Sequence, residues 1–109
     1  MVVITLLCNL GMSTSMLVES IIKSGKSKGI DVDVEALPFD KASQRLKTTE
    51  ILLLGPQVRY LLPKFQKEYG DKIKVISTIN MTDYALINGD GILSQALDQL
   101  KNQPGSPEK

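Results

Sequence analysis

The sequence predicts an α/β protein, a three-layer sandwich in which a four-stranded parallel sheet is flanked by helices. Two observations favour this fold class. The runs Val2–Leu7 and 51–54 are apolar almost throughout, which is typical of strands buried on both faces of a parallel sheet. Segments of helical period separate the apolar runs, and this alternation gives parallel strands joined by right-handed crossovers.

The first half of the chain predicts two strands and two helices before residue 50. After the first strand, apolar residues recur at helical spacing over 13–28, and lysines gather towards Gly29, which is a plausible stop. Apolar and acidic residues alternate over 30–37, which predicts a half-exposed edge strand that Pro38 ends. The weaker amphipathic stretch over 39–49 predicts a short helix.

The second half begins with a central strand over 51–54, and Gly55-Pro56 makes the turn that follows it. Residues 57–69 predict a helix that Pro63 kinks or restarts. A fourth strand is expected over 73–76 and a helical turn over 80–86. The last helix is expected over 89–100, where apolar residues share one face.

Composition limits both the domain organisation and the class of protein. The length of 109 residues suits one compact domain, which we assign to residues 1–101, with 102–109 as a flexible tail rich in proline and glycine. The formal net charge of +1, from 13 basic and 12 acidic residues, argues against nucleic-acid binding. No apolar run approaches the ~20 residues of a membrane helix, and no signal-peptide pattern is evident. We therefore expect a cytoplasmic protein.

The inventory of reactive side chains is short. The chain has one cysteine and no histidine, so it has no internal disulfide, no Ser-His-Asp triad and no Cys-His pair of its own. A typical zinc site is also unlikely without histidine. We expect neither a metal nor a cofactor. The charges of the edge strand argue for a monomer.

Residues 8–15, which read C-N-L-G-M-S-T-S, carry the strongest chemical signal. Cys8 follows the first strand, and ligands of parallel sheets bind at the carboxyl ends of the strands. The helix that follows presents free backbone N–H groups that bind anions and favour a thiolate. Gly11 permits close approach, and the hydroxyl groups of 13–15 add donors. Each feature also has a structural interpretation: a cysteine used as a small core residue, a tight turn and helix capping.

The loop resembles the active-site loop of the IIB components of the phosphoenolpyruvate-dependent sugar phosphotransferase system, lactose/cellobiose (chitobiose) family. The segments L-L-L-G-P-Q-V-R-Y at 52–60 and D-Y-A-L-I-N-G-D at 83–90 carry the resemblance further, so that it spans about residues 1–101. It implies that Cys8 accepts a phosphoryl group from a phosphohistidine of the IIA component. The phosphocysteine then passes it to a sugar bound by the membrane IIC permease. The phosphate-binding loop implied for this chain consists of Asn9, Leu10, Gly11, Met12, Ser13, Thr14 and Ser15.

Two other classes of function stay open. The family fold is similar to that of low-molecular-weight tyrosine phosphatases, which suggests a phosphatase-like or arsenate-reductase-like enzyme with the motif C-x5-R-[ST]. Thr14 stands six residues after Cys8 where that motif has arginine, and a second cysteine is also lacking. Arginine stabilises the charge of a phosphoryl group during hydrolysis, so its absence favours a carrier. The other alternative is a flavodoxin-like or receiver-like binding module, but residues 5–15 hold no carboxylate.

Four further segments have candidate roles beside the thiol. Residues 83–84 faintly resemble the general acid of the phosphatases, but we interpret Asp83 first as a helix-start aspartate. Residues 55–57 could border the same face as Cys8, although a turn with Pro56 at the start of a helix is the simpler interpretation. Arg59 and Tyr60 could contact a partner or lie on a solvated helix face. Leu10 and Met12 could form a docking patch for IIA or point inward.

The proposal for Cys8 fails if its sulfur is sealed in the interior with no ring of backbone amides aimed at it. The identity of the sugar is left open by the sequence, because sugar selectivity resides in the membrane component.

Overall fold

Four parallel strands form one sheet: β1 (Val2–Leu7), β2 (Val32–Leu37), β3 (Ile51–Leu54) and β4 (Val75–Thr78). Their order across the sheet is β2-β1-β3-β4. The structure, a computed structural model, describes residues 1–8 and 12–101, and at residues 12, 13 and 39 it describes the backbone only. The four-stranded parallel sheet and the edge position of β2 are confirmed.

In the described part of the chain, five α-helices and two 3-10 helices connect and cover these strands. The α-helices are α1 (Met12–Ser27), α2 (Ser43–Leu46), α3 (Leu62–Tyr69), α4 (Met81–Ala85) and α5 (Gly89–Lys101). The 3-10 helices are Phe39–Lys41 and Pro56–Leu61. The helix predicted over 57–69 is thus two helices, and Pro63 lies in the first turn of the second, which confirms the restart.

The sheet separates two apolar cores, and this makes the fold a three-layer sandwich. Because successive side chains of a strand point to opposite faces, Ile4 and Leu6 enter the core that α1 and α5 cover. Leu7 enters the opposite core, together with Leu46 of α2 and Phe65 of α3. Both central strands are buried on both faces, which is why their sequences lack alternation.

The turn that ends α1 explains why β2 starts two residues later than predicted. Gly29 has φ +72°, and the N–H of Ile30 donates to the carbonyl of Gly25 at 2.8 Å. This is the hydrogen-bond pattern of a Schellman motif, in which glycine takes the left-handed position. Ile30 therefore belongs to the helix cap, and pairing with β1 begins at Val32.

The fourth strand lies two residues beyond its predicted position of 73–76. Ile73 is buried, but its N–H donates to the carbonyl of Tyr69 at 2.8 Å, so it closes the turn after α3. The predicted bounds of this strand were wrong by two residues at each end, because Ile73 is apolar for burial in the turn rather than for strand pairing. The strand pairs with β3 over 75–78.

The register brings the carboxyl ends of all four strands to one edge. Leu7 pairs with Leu37 of β2 and with Leu54 of β3, and Leu54 pairs in turn with Thr78 of β4. The chain leaves β1 for β2 on one side and later reaches β3 on the other side, so the strand order reverses around β1. The residue that follows β1 is Cys8, which therefore stands where open α/β sheets bind ligands.

Candidate functional site

Cys8 lies between the ends of two neighbouring strands. Its backbone N–H donates to the carbonyl of Leu37 at the end of β2, at 3.4 Å. On the other side, the N–H of Gly55 donates to the carbonyl of Leu7 at 2.8 Å. These contacts hold the backbone at the reversal point of the sheet, and they fix the place from which the thiol extends.

Gly55 allows the turn after β3 to pass directly against Cys8. A Cβ atom added at Gly55 would lie 3.1 Å from the Cβ of Cys8 and 3.0 Å from Oε1 of Gln57. The glycine has an ordinary φ of −62°, so the requirement here is space rather than backbone freedom. Residues 55–57 therefore border Cys8, and Pro56 also begins the 3-10 helix, so both interpretations of this segment are confirmed.

Thr14 in the first turn of α1 reaches the sulfur. Its Oγ1 lies 3.4 Å from Sγ of Cys8, which is hydrogen-bonding distance for sulfur, and Thr14 is only 3% exposed. Ser15, the next residue, is exposed. Of the hydroxyl groups predicted to serve the loop, the structure thus brings that of Thr14 to the thiol and leaves that of Ser15 at the surface.

Cys8 is itself buried, with 2% of the residue exposed. This burial meets the first half of the condition under which the proposal fails. The second half, a lack of amides aimed at the sulfur, concerns Asn9, Leu10 and Gly11, which lie outside the described residues, so the condition as a whole is not tested. The side chains of Met12 and Ser13 lie outside them too, so the predicted docking patch is not tested. Burial alone also fits a cysteine used as a small core residue, and chemistry must separate the two interpretations.

The guanidinium group of Arg45 is engaged away from the thiol. Its Nε donates to Oγ1 of Thr5 at 2.9 Å, and its Nη2 donates to the carbonyl of Ile4 at 2.9 Å. Asp33 and Glu35 of the edge strand supply carboxylates at 3.5 and 3.2 Å. The side chain of Arg45 is 14% exposed, whereas the carboxylates of Asp33 and Glu35 are about half exposed, so the cluster runs from the interior to the surface.

Two threonines complete this cluster beneath the sheet. Thr5 and Thr49 are both buried, and their hydroxyl oxygens lie 2.7 Å apart. The hydroxyl of Thr49 also donates to the carbonyl of Arg45 at 2.8 Å. Sequence reasoning missed this cluster; its signal was a threonine inside the apolar first strand, opposite an edge strand with acidic residues at alternate positions.

The segment 83–90 packs against α1, the helix that starts beside Cys8, and so holds α5 next to α1. Ser20 of α1 accepts a hydrogen bond from the N–H of Gly89 at 2.9 Å and donates one to the carbonyl of Ile87 at 3.1 Å. Ile87 has a left-handed φ of +53°. A Cβ atom at Gly89 would lie 2.4 Å from the backbone carbon of Ser20, so the helices approach too closely for a side chain there.

Asp90 extends the same junction. Its carboxylate accepts a hydrogen bond from Oγ of Ser24 at 2.8 Å and pairs with Nζ of Lys28 at 2.9 Å. The hydrogen bond from Lys28, then that from Ser24, holds the pKa of Asp90 below its ordinary value of 3.8. The motif at 83–90 thus fixes α1 against α5 and positions the helix that carries Thr14.

Asp83 and Tyr84 have structural contacts. Asn80 caps α4 by accepting hydrogen bonds from the N–H groups of Thr82 and Asp83. Oδ1 of Asp83 accepts one from the side chain of Asn88 at 3.1 Å, and Tyr84 packs on the core beneath α5. The interpretation of Asp83 as a helix-start residue is confirmed, although Asn80 is the cap. Residues 59–60 are exposed, and no partner contact is tested for them.

None of the described helices combines the length and the apolar character needed to cross a bilayer.

Comparison with known proteins identifies the family. The family model described as "PTS system, Lactose/Cellobiose specific IIB subunit" matches residues 3–95. The oligo-beta-mannoside-specific EIIB component of Bacillus subtilis (strain 168) is 33% identical over 100 residues, which cover 92% of this chain and 97% of that protein. The cellobiose-specific EIIB component of Lactococcus lactis subsp. lactis (strain IL1403) is 33% identical over 99 residues, 86% of this chain and 92% of its own.

Solved structures agree with this assignment. The cellobiose-specific phosphotransferase IIB component from Borrelia burgdorferi is 35% identical, with a TM-score of 0.74 and 94% of each chain covered. The lactose-specific IIB domain from Streptococcus pneumoniae has a TM-score of 0.76 over 90% of this chain and 96% of that one, and at 16% identity it supports the fold alone. The chain belongs to the lactose/cellobiose-specific IIB subunits of the sugar phosphotransferase system, a family of phosphotransferases.

Proposed function

We propose that this chain is a phosphoryl carrier, in which Cys8 accepts a phosphoryl group from a phosphohistidine of the IIA component and passes it to a sugar held by the IIC permease. One observation carries the proposal. Cys8 stands at the reversal point of the sheet, beside the amino end of α1, with the hydroxyl of Thr14 3.4 Å from its sulfur. The proposed phosphate-binding loop is residues 9–15.

The chemistry consists of two phosphoryl transfers. In the first, the thiolate of Cys8 attacks phosphorus, the S–P bond forms, and the N–P bond breaks with its electron pair going to the imidazole, which takes up a proton. In the second, a sugar hydroxyl attacks phosphorus and loses its proton to water. The O–P bond forms and the S–P bond breaks, which regenerates the thiolate. No net oxidation or reduction takes place.

The residue inventory supports a carrier over a hydrolase. The chain contains no histidine, so this subunit cannot carry the phosphoryl group as phosphohistidine. Arg45 is bound to Thr5 and to the carbonyl of Ile4, and it is therefore engaged where it cannot assist at the thiol. Arginine stabilises the phosphoryl oxygens during hydrolysis, and its absence from the sequence of residues 8–15 supports an S–P intermediate that persists.

Burial of the thiol sets a condition on the mechanism. A phosphohistidine must come within bonding distance of Sγ, and Cys8 is only 2% exposed. The sulfur must therefore become accessible in the complex with each partner. In the free subunit, the same burial limits the access of water to the carrier residue.

The family supports the partners and the cellular location that we propose. IIB components work with IIA and IIC components in general, and we assign both roles of partner to this chain, with the phosphohistidine on IIA and the sugar on IIC. We propose a disaccharide of the cellobiose, chitobiose or lactose type as the sugar. The relatives are described by different sugars, among them oligo-beta-mannoside and cellobiose. We further propose that residues 1–101 act as a single monomeric carrier domain in the cytoplasm, with 102–109 as a tail.

Reconstitution tests the proposal. The chain is combined with phosphorylated IIA, membranes that contain the IIC permease, and cellobiose, chitobiose or lactose, and sugar phosphate is measured. We expect sugar phosphate with the wild-type chain and none with Cys8→Ala or Cys8→Ser, since neither provides the thiol. Thr48→Val, an exposed change on α2's carboxyl side, is the control and is expected to match wild type. Sugar phosphorylation by Cys8→Ala, or sustained hydrolysis of p-nitrophenyl phosphate by the wild-type chain, would overturn the carrier role.

A further inference from the structure

In the part of the chain that the structure describes, the hydroxyl group of Thr14 lies within hydrogen-bonding distance of the sulfur of Cys8. Their separation is 3.4 Å, and the two residues are 3% and 2% exposed. Water competes poorly for groups this deeply buried, and buried polar groups are nearly always hydrogen-bonded, so the contact between them is a defined interaction of the site.

Charge decides the direction of this hydrogen bond. With Cys8 as a neutral thiol, either group can donate. A thiolate has no proton, so it can only accept, and Thr14 must then donate through Oγ1–H. Hydrogen bonds to a charged acceptor are the stronger class, and they are stronger still at a site from which water is excluded.

Negative charge develops on the sulfur at one defined point of the proposed reaction. When the sugar hydroxyl attacks phosphorus, the S–P bond breaks and its electron pair goes to sulfur. A donor already aimed at the sulfur stabilises this charge without reorganisation. In the loading step the same donor does not help in this way, because a hydrogen bond to the thiolate makes it less nucleophilic.

We propose that Thr14 is a positioning residue that makes Cys8 a good leaving group, so that its hydroxyl accelerates transfer out of phosphocysteine more than transfer into it. The proton of Thr14 stays on Oγ1 throughout, and no group is transferred to it. This inference rests on the proposed carrier function and gives one loop residue a distinct step in it.

Two variants separate the hydroxyl from the shape of the side chain. Thr14→Val keeps the branched shape and removes the donor, whereas Thr14→Ser keeps the donor and removes the methyl group. Thr48→Val makes the same chemical change at an exposed position and is the matched control. Each protein is loaded with phosphorylated IIA and isolated. The single-turnover rate of loading is measured in this step. The phosphoprotein is then mixed with IIC membranes and sugar, and the single-turnover rate of outward transfer is measured on the loaded fraction.

We expect Thr14→Val to slow the outward transfer roughly ten- to hundredfold, the range for a lost hydrogen bond to a charged group. The loading rate should change by less than the outward rate, and Thr14→Ser should restore most of the outward rate. A purely structural role would not produce this pairing of a changed rate ratio with rescue by serine.

The outcomes are distinguishable. If wild-type protein is not labelled on Cys8, the carrier function fails. If wild type carries and delivers the phosphoryl group while Thr14→Val delivers it at the same rate, or if both half-reactions slow equally, the inference about Thr14 fails alone. Thr14→Ala serves as a second variant without the donor; if neither it nor Thr14→Val can be loaded at all, the claim that the hydroxyl acts mainly in the outward step is wrong.

Discussion

Gly89→Ala places a methyl group into the contact between α5 and α1. The added Cβ atom would stand 2.4 Å from the backbone carbon of Ser20 and 2.4 Å from its Oγ, whereas ordinary contact begins near 3.4 Å. Relief requires the helices to separate by about 1 Å, because a helix backbone cannot rotate out of the way. Forced repacking of this kind costs about 1–3 kcal/mol.

The separation also breaks the two hydrogen bonds through Ser20, from the N–H of Gly89 and to the carbonyl of Ile87, each worth about 1 kcal/mol. The better helix propensity of alanine returns up to ~1 kcal/mol. We therefore expect the free energy of unfolding to fall by about 2–4 kcal/mol. For a domain of this length, that lowers Tm by roughly 10 °C or more.

Gly91→Ala is the matched control, since it makes the same change two residues further along α5. Its Cβ atom would lie 2.5 Å from Nδ2 of Asn88, an exposed side chain that can move aside if it gives up its hydrogen bonds with Asp83 and with the N–H of Gly91. We expect a loss of about 1 kcal/mol, because an exposed cap is lost but no helix has to shift. Urea titration and thermal unfolding of both variants give the comparison. Equal stability of Gly89→Ala and wild type would refute the close contact between the helices.

The remaining predictions concern the two polar clusters. Arg45→Leu leaves buried polar groups without their donor. Urea titration should show that it lowers the free energy of unfolding by about 2–4 kcal/mol, with Arg45→Lys intermediate. A change below about 0.5 kcal/mol would show that the cluster is unimportant for stability. The pKa of Asp90 is lower in the folded state than its ordinary value of 3.8. Its carboxylate therefore stabilises the fold fully above about pH 3.8, and this contribution is lost as the pH falls through the folded-state pKa. Asp90→Asn should thus have a lower free energy of unfolding than wild type at pH 7, and this difference should shrink towards pH 2 and in high salt. Lys28→Met should show the same dependence. Asp98→Asn, on the same helix, is the control, and a gap at pH 7 that persists unchanged at pH 2 would contradict the assigned cause.

The sheet was accessible from the sequence because its central strands have unambiguous patterns. Val2–Leu7 and Ile51–Leu54 were predicted at the bounds that the structure shows, since burial on both faces produces continuous apolar runs. The edge strand was found from its alternation, but its start was displaced because Ile30 is apolar for a different reason, as part of the α1 cap. Ile73 misled the prediction of β4 in the same manner.

The position of the thiol could be predicted, but its contacts could not. The alternation of strands and helices places Cys8 at the carboxyl end of β1. Parallel pairing brings that end beside the turn at Gly55, which follows β3. Which hydroxyl of the loop reaches the sulfur depends on where the first turn of α1 begins, a boundary that sequence patterns fix only loosely. The structure selects Thr14 over Ser15.

The cluster around Arg45 illustrates a second limit. Its members come from four segments, and the sequence separations of the bonded pairs reach 44 residues. The weak amphipathic pattern over 39–49 predicted a short helix there. No feature of that segment indicates that the side chain of Arg45 binds Thr5 and Ile4 of β1. Contacts of this type follow from tertiary packing rather than from periodicity.

Mapping of the phosphoryl group on the subunit tests the central claim most directly. The chain is incubated with phosphorylated IIA, quenched without acid, and examined by mass spectrometry of the intact protein and of its peptides. We predict one phosphoryl group, bound to the sulfur of Cys8, with none on Cys8→Ala. A phosphoryl group on a serine, threonine or other residue of the wild-type chain, with Cys8 unmodified, would contradict the account.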